Sequence, residues 1–539
     1  MYKKILLGLL TLVALVTLAA CNGNGEAPSQ DVPDMRDASP DFSQNADVCY
    51  QIFPISYADS TGDGDGDLLG IAENVEYLSE TLNVDCVWLN PFNPSPSYHK
   101  YNVTDYYGID ETFGTMEDFE TFMDVMDDHD IDVVMDFVIN HTDFNHIWFQ
   151  RSRMEEDDYG EWYNWLDADE HSEWHNTGGW HEHEGRYYYG SFWDQMPELN
   201  YDHPAVRDEI YRIAEYWIDK GIDGFRIDAA RHIYDDNQYP REFDTHQANI
   251  DFFKEFNDAV KDVDENVYIV GEIWSYNEQY VSTYLEGMDS AFNFGFADSL
   301  KSAILNSEHH DVIDELIDTR EVYDDVRDDY IDSVFLTNHD MDRVLNEFNE
   351  DTGRAKLAAR ILLSLPGTSW IYYGEELGMS GEKPDPDIRQ PFIWGEDNPY
   401  NVEGSTVTGY HGDIAAWDAY NESLDGVDAQ LENPDSILNA YIDMIDLKQT
   451  HTPLNSGELI SVSNDTDEIM AYRRVSEDSE YLVLHNMSRV EATVNLDMDQ
   501  TQEIYASHPM AHDGQTMTFE PLSTIIYEIE SGSSVQITD

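Results

Sequence analysis

Acidic, basic and histidine side chains in this chain gather at the ends of short apolar runs, and chemistry could begin there. DVVMDFVIN (132–140) carries Asp136 and Asn140 and is followed by His141. GFRID (224–228) carries Arg226 and Asp228, with Arg231 and His232 close behind. VYIVGEIW (267–274) holds Glu272, and SVFLTNHD (333–340) ends in Asn338, His339 and Asp340. A fifth run, VDCVWLNP (84–91), is followed by Tyr98-His99-Lys100-Tyr101. One acid at such an end is easily a helix cap or a solvated charge. Several on successive runs are hard to explain as caps, and the mixture of carboxylate, imidazole, guanidinium and phenol suits sugar chemistry.

The elements that must hold these groups follow from the pattern of the runs. Together with CYQIFPISY (49–57), DSAFNFGF (289–296) and TSWIYYGEE (368–376), they make eight candidate strands. Each is apolar almost throughout, as parallel strands covered by helices are. IAENVEYLSETL (71–82) and PAVRDEIYRIAEYWIDKG (204–221) between them read as amphipathic helices. Eight strand–helix units predict an α/β fold, a (β/α)8 TIM barrel, whose working side chains stand at the C-terminal ends of the strands. The expected barrel covers 47–141 and 201–450. Residues 142–200, rich in Trp, Tyr, His and Gly, are too long for a structureless loop and predict a small inserted domain after strand three. Residues 451–539 alternate apolar and polar positions and predict a C-terminal antiparallel β-sandwich domain.

DFVINH (136–141), GFRIDAARH (224–232), GEIW (271–274) and FLTNHD (335–340) resemble, in order and spacing, the four signature regions of the α-amylase family of glycoside hydrolases. QMPELN (195–200) and PGTSWIYYGEELGM (366–379) are further matches, and the resemblance covers about 47–450. It implies retaining, endo-acting hydrolysis of α-1,4-glucosidic bonds in starch and maltooligosaccharides, with some transglycosylation beside it. Asp228 is then the nucleophile, Glu272 the general acid and base, and Asp340 the third carboxylate, which binds sugar hydroxyls. Such a mechanism needs two carboxyls about 5–5.5 Å apart, one ionised and one protonated. Arg226, two residues before Asp228 on one strand, points to the same side and can keep it ionised. By the same resemblance His141 and His339 hydrogen-bond the sugar, Tyr101 stacks on its ring, and Arg231, His232 and Arg343 complete the substrate contacts. Tyr98 stands where oligosaccharide-specific α-glucosidases tend to carry Asp, which favours an open cleft. An exo-acting α-glucosidase or maltogenic enzyme is the alternative, and a non-catalytic glucan-binding lipoprotein is the reading from another class.

Residues 59–67 (DSTGDGDGD) set acids between glycines, a pattern that can wrap oxygen ligands around a hard cation. The stretch resembles a calcium loop of the family, which implies Ca2+ on Asp59, Thr61, Asp63, Asp67 and the Asp65 carbonyl, although the family often has Asn where Thr61 stands. A second family calcium site, between barrel and insert, would use Asn140, the His232 carbonyl and Glu198, where Asp is usual. His171, His175, His181 and His183 lack the Cys pairing of transition-metal sites and read as sugar contacts or surface.

The 539 residues hold 111 acidic against 28 basic side chains, a formal net charge of −83, with the acids spread along the whole length. With 41% hydrophobic and 13% aromatic residues, among them 34 Tyr and 12 Trp, this is no disordered acidic tail. Salt screens such self-repulsion, so the balance reads as adaptation to high salinity. It disfavours nucleic acid and anionic substrates; a neutral polymer feels no repulsion. Lys3 and Lys4, an apolar run at 5–20 and Leu18-Ala19-Ala20-Cys21 read as a lipoprotein signal segment with lipidation at Cys21, followed by a tether at 21–46. The expected protein is a monomer on the extracellular face of the envelope, lipid-anchored or secreted. Cys49 and Cys86, both in apolar runs, read as two buried thiols rather than a disulfide framework, with a bridge between them left open.

Overall fold

In the computed structural model the described residues are 48–538, except 174–177, 239–242, 310, 396–420, 422–423, 465, 498–500, 510, 514–515 and 533–534. The expected signal segment, Cys21, the tether and His175 lie outside the described residues.

Eight parallel strands close into a barrel: β1 (Val48–Ile52), β2 (Cys86–Leu89), β3 (Asp132–Phe137), β4 (Gly224–Ile227), β5 (Tyr268–Gly271), β6 (Ser290–Phe292), β7 (Ile331–Phe335) and β8 (Thr368–Tyr372). Spatial order follows chain order, and β8 closes on β1. Six strands fall within the runs expected from the sequence, while β1 starts one residue before its run (49–57) and β7 two residues before its own (333–340). The runs are apolar on both faces because both are covered. Cys86 and Trp88 fill the interior with Val134, Val270, Phe292 and Trp370. Their neighbours Val87 and Leu89 join the larger core under the helices. Helix Pro204–Ile218 shows how that core is assembled. His203 caps it by accepting from Ala205 N, proline starts it, and Val206, Ile210, Ile213, Ala214 and Trp217 bury one face.

Between β3 and that helix the chain forms a three-stranded antiparallel sheet of Trp165–Asp167, Arg186–Tyr189 and Trp180–His183. Beyond the barrel, Glu458–Ser461, Ile469–Val475, Glu480–Asn486, Thr524–Ile529 and Thr501–Ala506 form a five-stranded sheet. A four-stranded sheet of Ala511–Asp513, Thr516–Phe519, Ala492–Asp497 and Gln536–Thr538 shares a core with it. This is the predicted sandwich. Buried Arg474 ties it to the barrel, donating to Ser364 O (2.6 Å) and Gly457 O (2.9 Å). Among the described residues Arg474 is one of eight buried cations, with Lys100, Arg226, Lys301, Arg343, Arg360, Arg389 and Lys448. No helix of the described residues is long and apolar enough to cross a membrane.

The two-thiol reading of Cys49 and Cys86 is corrected: they form a disulfide. They are register partners on β1 and β2, 4.6 Å apart at Cα, and both face the barrel interior. The bridge closes a loop of sequence separation 37 and ties the first two strands together. Replacing both cysteines by serine is expected to cost about 4 kcal/mol on the chain-entropy account of such a loop. A thermal melt checks it: an unchanged midpoint would show that the bridge constrains nothing.

Candidate active site

Neighbouring strands bring the acids together by register. Asp136 on β3 lies opposite Arg226 on β4, so both side chains point the same way. Ile227 pairs with Gly271, and the ladder runs on past the strand ends, with Asp228 N donating to Phe137 O and Glu272 N to Ile227 O. Asp228 and Glu272 therefore emerge side by side at the C-terminal rim. Directly after Asp228 the backbone turns through Ala229 (φ 49°), and Ala229 N–H donates to Glu272 Oε2 at 3.0 Å.

One guanidinium organises the centre. Arg226 Nη1 contacts Asp136 Oδ1 at 2.7 Å and Asp228 Oδ1 at 2.8 Å, and its Nη2 contacts Glu272 Oε2 at 2.9 Å. Arg226 is fully buried and its partners hold its pKa well above the ordinary value, so it stays charged. It cannot neutralise three carboxylates. Burial pushes Asp228 up to about 7, with Asp136 and Asp340 adding repulsion and Arg226 opposing. Burial likewise raises Asp136 to about 6 and raises Glu272, where Asp228 and Asp340 add to it. The cluster thus retains a proton near neutrality.

Asp340 is set the other way. Burial alone would raise its carboxyl, but the His339 ring and the Arg389 and Arg226 guanidiniums hold it well below the usual carboxylate range. Its Oδ1 lies 2.8 Å from Arg389 Nη2 and its Oδ2 lies 3.1 Å from His339 Nε2. Gln51 Nε2 lies 2.8 Å from His339 Nδ1. An amide N–H donates, so Nδ1 accepts and Nε2 carries the ring proton, facing Asp340 and Tyr101 Oη (2.6 Å). The Tyr101 hydroxyl donates to Asp136 Oδ2 at 2.8 Å, and its ring lies parallel to His339 (6°, centroids 5.4 Å apart).

Of the remaining predicted contacts, His141 is buried below the cleft, its Nε2 3.2 Å from Tyr101 O, and burial lowers it to about 4, so it is neutral. His232 meets Asp235 Oδ2 at 3.0 Å through Nδ1, and Arg231 donates to Trp274 O at 3.0 Å, two residues beyond Glu272. Arg343 is a correction. It is buried among Tyr372 and Tyr373 and donates to Tyr373 O, away from the carboxylates, and Arg389 takes the place beside Asp340. Arg389 lies in a loop outside every motif, so no pattern pointed to it. Gln51, Trp88 and Asn90 were also missed as site residues, although each is a hydrogen-bonding group inside or at the end of an apolar strand run. Trp88 Nε1 donates to Asp136 Oδ2 (3.1 Å) and Asn90 Nδ2 to Tyr101 Oη (2.9 Å).

The expected calcium ligands do not converge. Asp59 accepts from Thr61 N, Gly62 N and Gly64 N, and Asp63 from Asp65 N. Asp67 caps helix Leu68–Glu73 by accepting from Gly70 N and also binds Ser60. These acids serve the loop's own amides, and among the described residues no three acids, histidines or cysteines form a metal group. At the second position, buried Glu198 accepts from Ser191 N (2.8 Å) and Gln238 Nε2 (3.1 Å), while Asn140 Oδ1 is buried without a partner among the described residues.

A closed parallel barrel with these carboxylates at its C-terminal rim defines a barrel hydrolase acting through paired acids. Comparison with known proteins narrows this. Residues 51–457 match the family described as "Alpha amylase, catalytic domain", and residues 469–526 match "Alpha-amylase SusG C-terminal domain". Similar relatives include "Alpha-amylase 3" of Dictyoglomus thermophilum, 36% identical over 89% of this chain and 93% of that protein. Another is the 4-alpha-glucanotransferase of Thermotoga maritima, 34% identical over 82% and 96%. The crystal structure of an α-amylase from H.orenii superposes with a TM-score of 0.79 at 33% identity, covering 90% of this chain and 99% of that one. The chain belongs to the α-amylase family of glycoside hydrolases.

The electrostatics carry a pH expectation. With Asp228 as the expected nucleophile, kcat/KM is expected to fall as pH drops through about 7, where burial makes that carboxyl take up its proton. Burial raises Glu272 as well, which suits the expected general acid by preserving its proton toward neutrality. A pH–rate profile should therefore show an acid limb near 7. A limb near 4, the ordinary carboxylate range, would contradict the burial argument.

Proposed function

We propose that this enzyme hydrolyses internal α-1,4-glucosidic bonds of starch and maltooligosaccharides with retention of configuration. The observation that carries the reading is the grip of one guanidinium on both Asp228 and Glu272, which keeps two carboxyls close at the barrel mouth. That closeness suits the retaining class, whose carboxyls stand about 5–5.5 Å apart, rather than the wider inverting arrangement. In the first step an Asp228 oxygen bonds to the anomeric carbon as the bond to the leaving oxygen breaks, and Glu272 gives that oxygen its proton. In the second, Glu272 takes a proton from water, the hydroxyl adds to the anomeric carbon, and Asp228 is released as carboxylate. Asp340, firmly ionised, accepts from sugar hydroxyls and stabilises positive charge developing on the ring.

Endo action is supported at Tyr98. Its hydroxyl accepts from Arg389 Nη1 at 3.0 Å, so no carboxylate stands at that position to close the pocket around a terminal glucose. The alternative is exo-acting α-glucosidase or maltogenic action, possible in the family on the same carboxylates. A hard cation in the 59–67 loop would have to draw Asp59 and Asp67 from the amides they now accept from. The deciding experiment is a time-resolved product profile on starch across a salt series, with and without a chelator. Expected are mixed maltooligosaccharides from the first minutes, activity that falls at low salt, and a loss on chelation; activity unchanged by the chelator would remove calcium from the loop. Glucose alone from chain ends would overturn endo action, and full activity in dilute buffer would overturn salt adaptation.

The leader and Cys21 support an outer, lipid-anchored location. Growing cells with labelled palmitate should mark the wild type and leave Cys21→Ser unmarked; equal labelling would remove the anchor.

A further inference from the structure

Two buried glutamates that the cleavage steps above do not use, Glu375 and Glu376, follow one another just beyond β8. The chain turns there through Gly374 (φ 80°), and Glu375 N donates to Tyr372 O. From this turn the two side chains reach to the two neighbours of β8 in the barrel. Glu375 Oε2 accepts from Thr337 Oγ1 at 3.1 Å, at the rim that follows β7. Its Oε1 accepts from Tyr441 Oη at 2.7 Å, on helix Ile437–Thr450. Glu376 Oε1 accepts from Tyr50 Oη on β1 at 2.7 Å and from Tyr77 Oη at 2.8 Å. The Tyr50 hydroxyl accepts in turn from Gly374 N at 3.3 Å, which pins the turn to β1.

β7 and β1 are the strands that carry the network around Asp340. His339 and Asp340 follow β7, and Gln51 on β1 meets His339 Nδ1. Thr337 stands three residues before Asp340, and between them Asn338 Oδ1 accepts from Asp340 N at 2.9 Å. The segment 337–340 therefore has its first hydroxyl tied to the β8 turn and its last carboxylate at the barrel mouth. Thr337, Asn338 and His339 are buried, so a hydrogen bond lost there leaves a polar group unpaired.

Burial pushes Glu375 up to about 8 and Glu376 to about 7, with their hydroxyl partners and the Arg343 guanidinium opposing. Near neutrality Glu375 is a neutral acid whose two oxygens are both engaged by hydroxyls. What it supplies is geometry.

We propose that Glu375 is a positioning residue for the cleavage step: through Thr337 it fixes the 337–340 segment, and with it the Asp340 carboxylate; this rests on the role given to Asp340 above. Glu376, by tying the same turn to β1, gives Glu375 a fixed base. A misplacement of about 1 Å in such a group costs on the order of 100-fold in rate.

Initial rates of the full chain on soluble starch test this. Thr337→Val keeps the branched shape and removes the hydroxyl. Its kcat should fall at least tenfold while KM stays within threefold, the mark of an interaction made in the transition state, and its thermal melt should stay cooperative. Glu375→Leu should show the same fall. Glu375→Gln has the shape of the neutral acid and can accept from Tyr441 while donating to Thr337, so it should restore at least a third of the wild-type kcat. A kcat kept within threefold in folded Thr337→Val overturns the positioning role. So does a loss in Glu375→Gln as deep as in Glu375→Leu. Asp340→Asn separates the two readings. If it is inactive while Thr337→Val works normally, the positioning role alone falls; if it keeps full activity, the role of Asp340 falls and the positioning role with it.

Discussion

Everything at the rim depends on Arg226. Three carboxylates converge on a buried guanidinium that can balance only one of them. Removing these charges from water is costly, and an ion cluster of this kind does little for stability. Its worth is electrostatic tuning: the excess negative charge makes the cluster hold a proton in the pH range where the protein must act. Alignment of Asp136, Arg226 and the ends of β4 and β5 follows from strand register, so the proton-holding property is built into the barrel itself.

Around this hub runs a second network with the opposite aim. Gln51 on β1 fixes the His339 tautomer, His339 faces Asp340, and Arg389 secures the other Asp340 oxygen. Tyr101 joins the two networks, donating to Asp136 while its ring lies on His339. Four carboxylates in one cleft thereby acquire different protonation tendencies, and unlike partners, not unlike acids, set the differences.

Much of this was legible in the residues. Continuous apolar runs gave all eight strands because each is covered on both faces, and Asp228, Glu272 and Asp340 were marked by polar groups closing those runs. What escaped was fixed by tertiary contact. The Cys49–Cys86 bridge depends on the register of two parallel strands, which no local pattern encodes. Arg343 stands three residues beyond a signature region and was assigned to the sugar, but the aromatic pair Tyr372–Tyr373 claims it. Arg389 reaches Asp340 from a loop that follows the last strand, where spacing carries no information. The aspartates of 59–67 matched a ligand pattern, yet short acids between glycines serve equally well as acceptors for the turns they form.

The eight enclosed cations have a consequence for the molecule as a colloid. The chain has only 28 basic residues, and eight of those among the described residues lie inside, so even fewer face the surroundings. Its exterior carries a large excess of negative charge, and with it a dense cloud of counterions as it diffuses. Two copies approaching each other must compress those clouds, so the protein resists clumping at concentrations where a balanced surface would find complementary patches. An uncharged polysaccharide meets no such barrier.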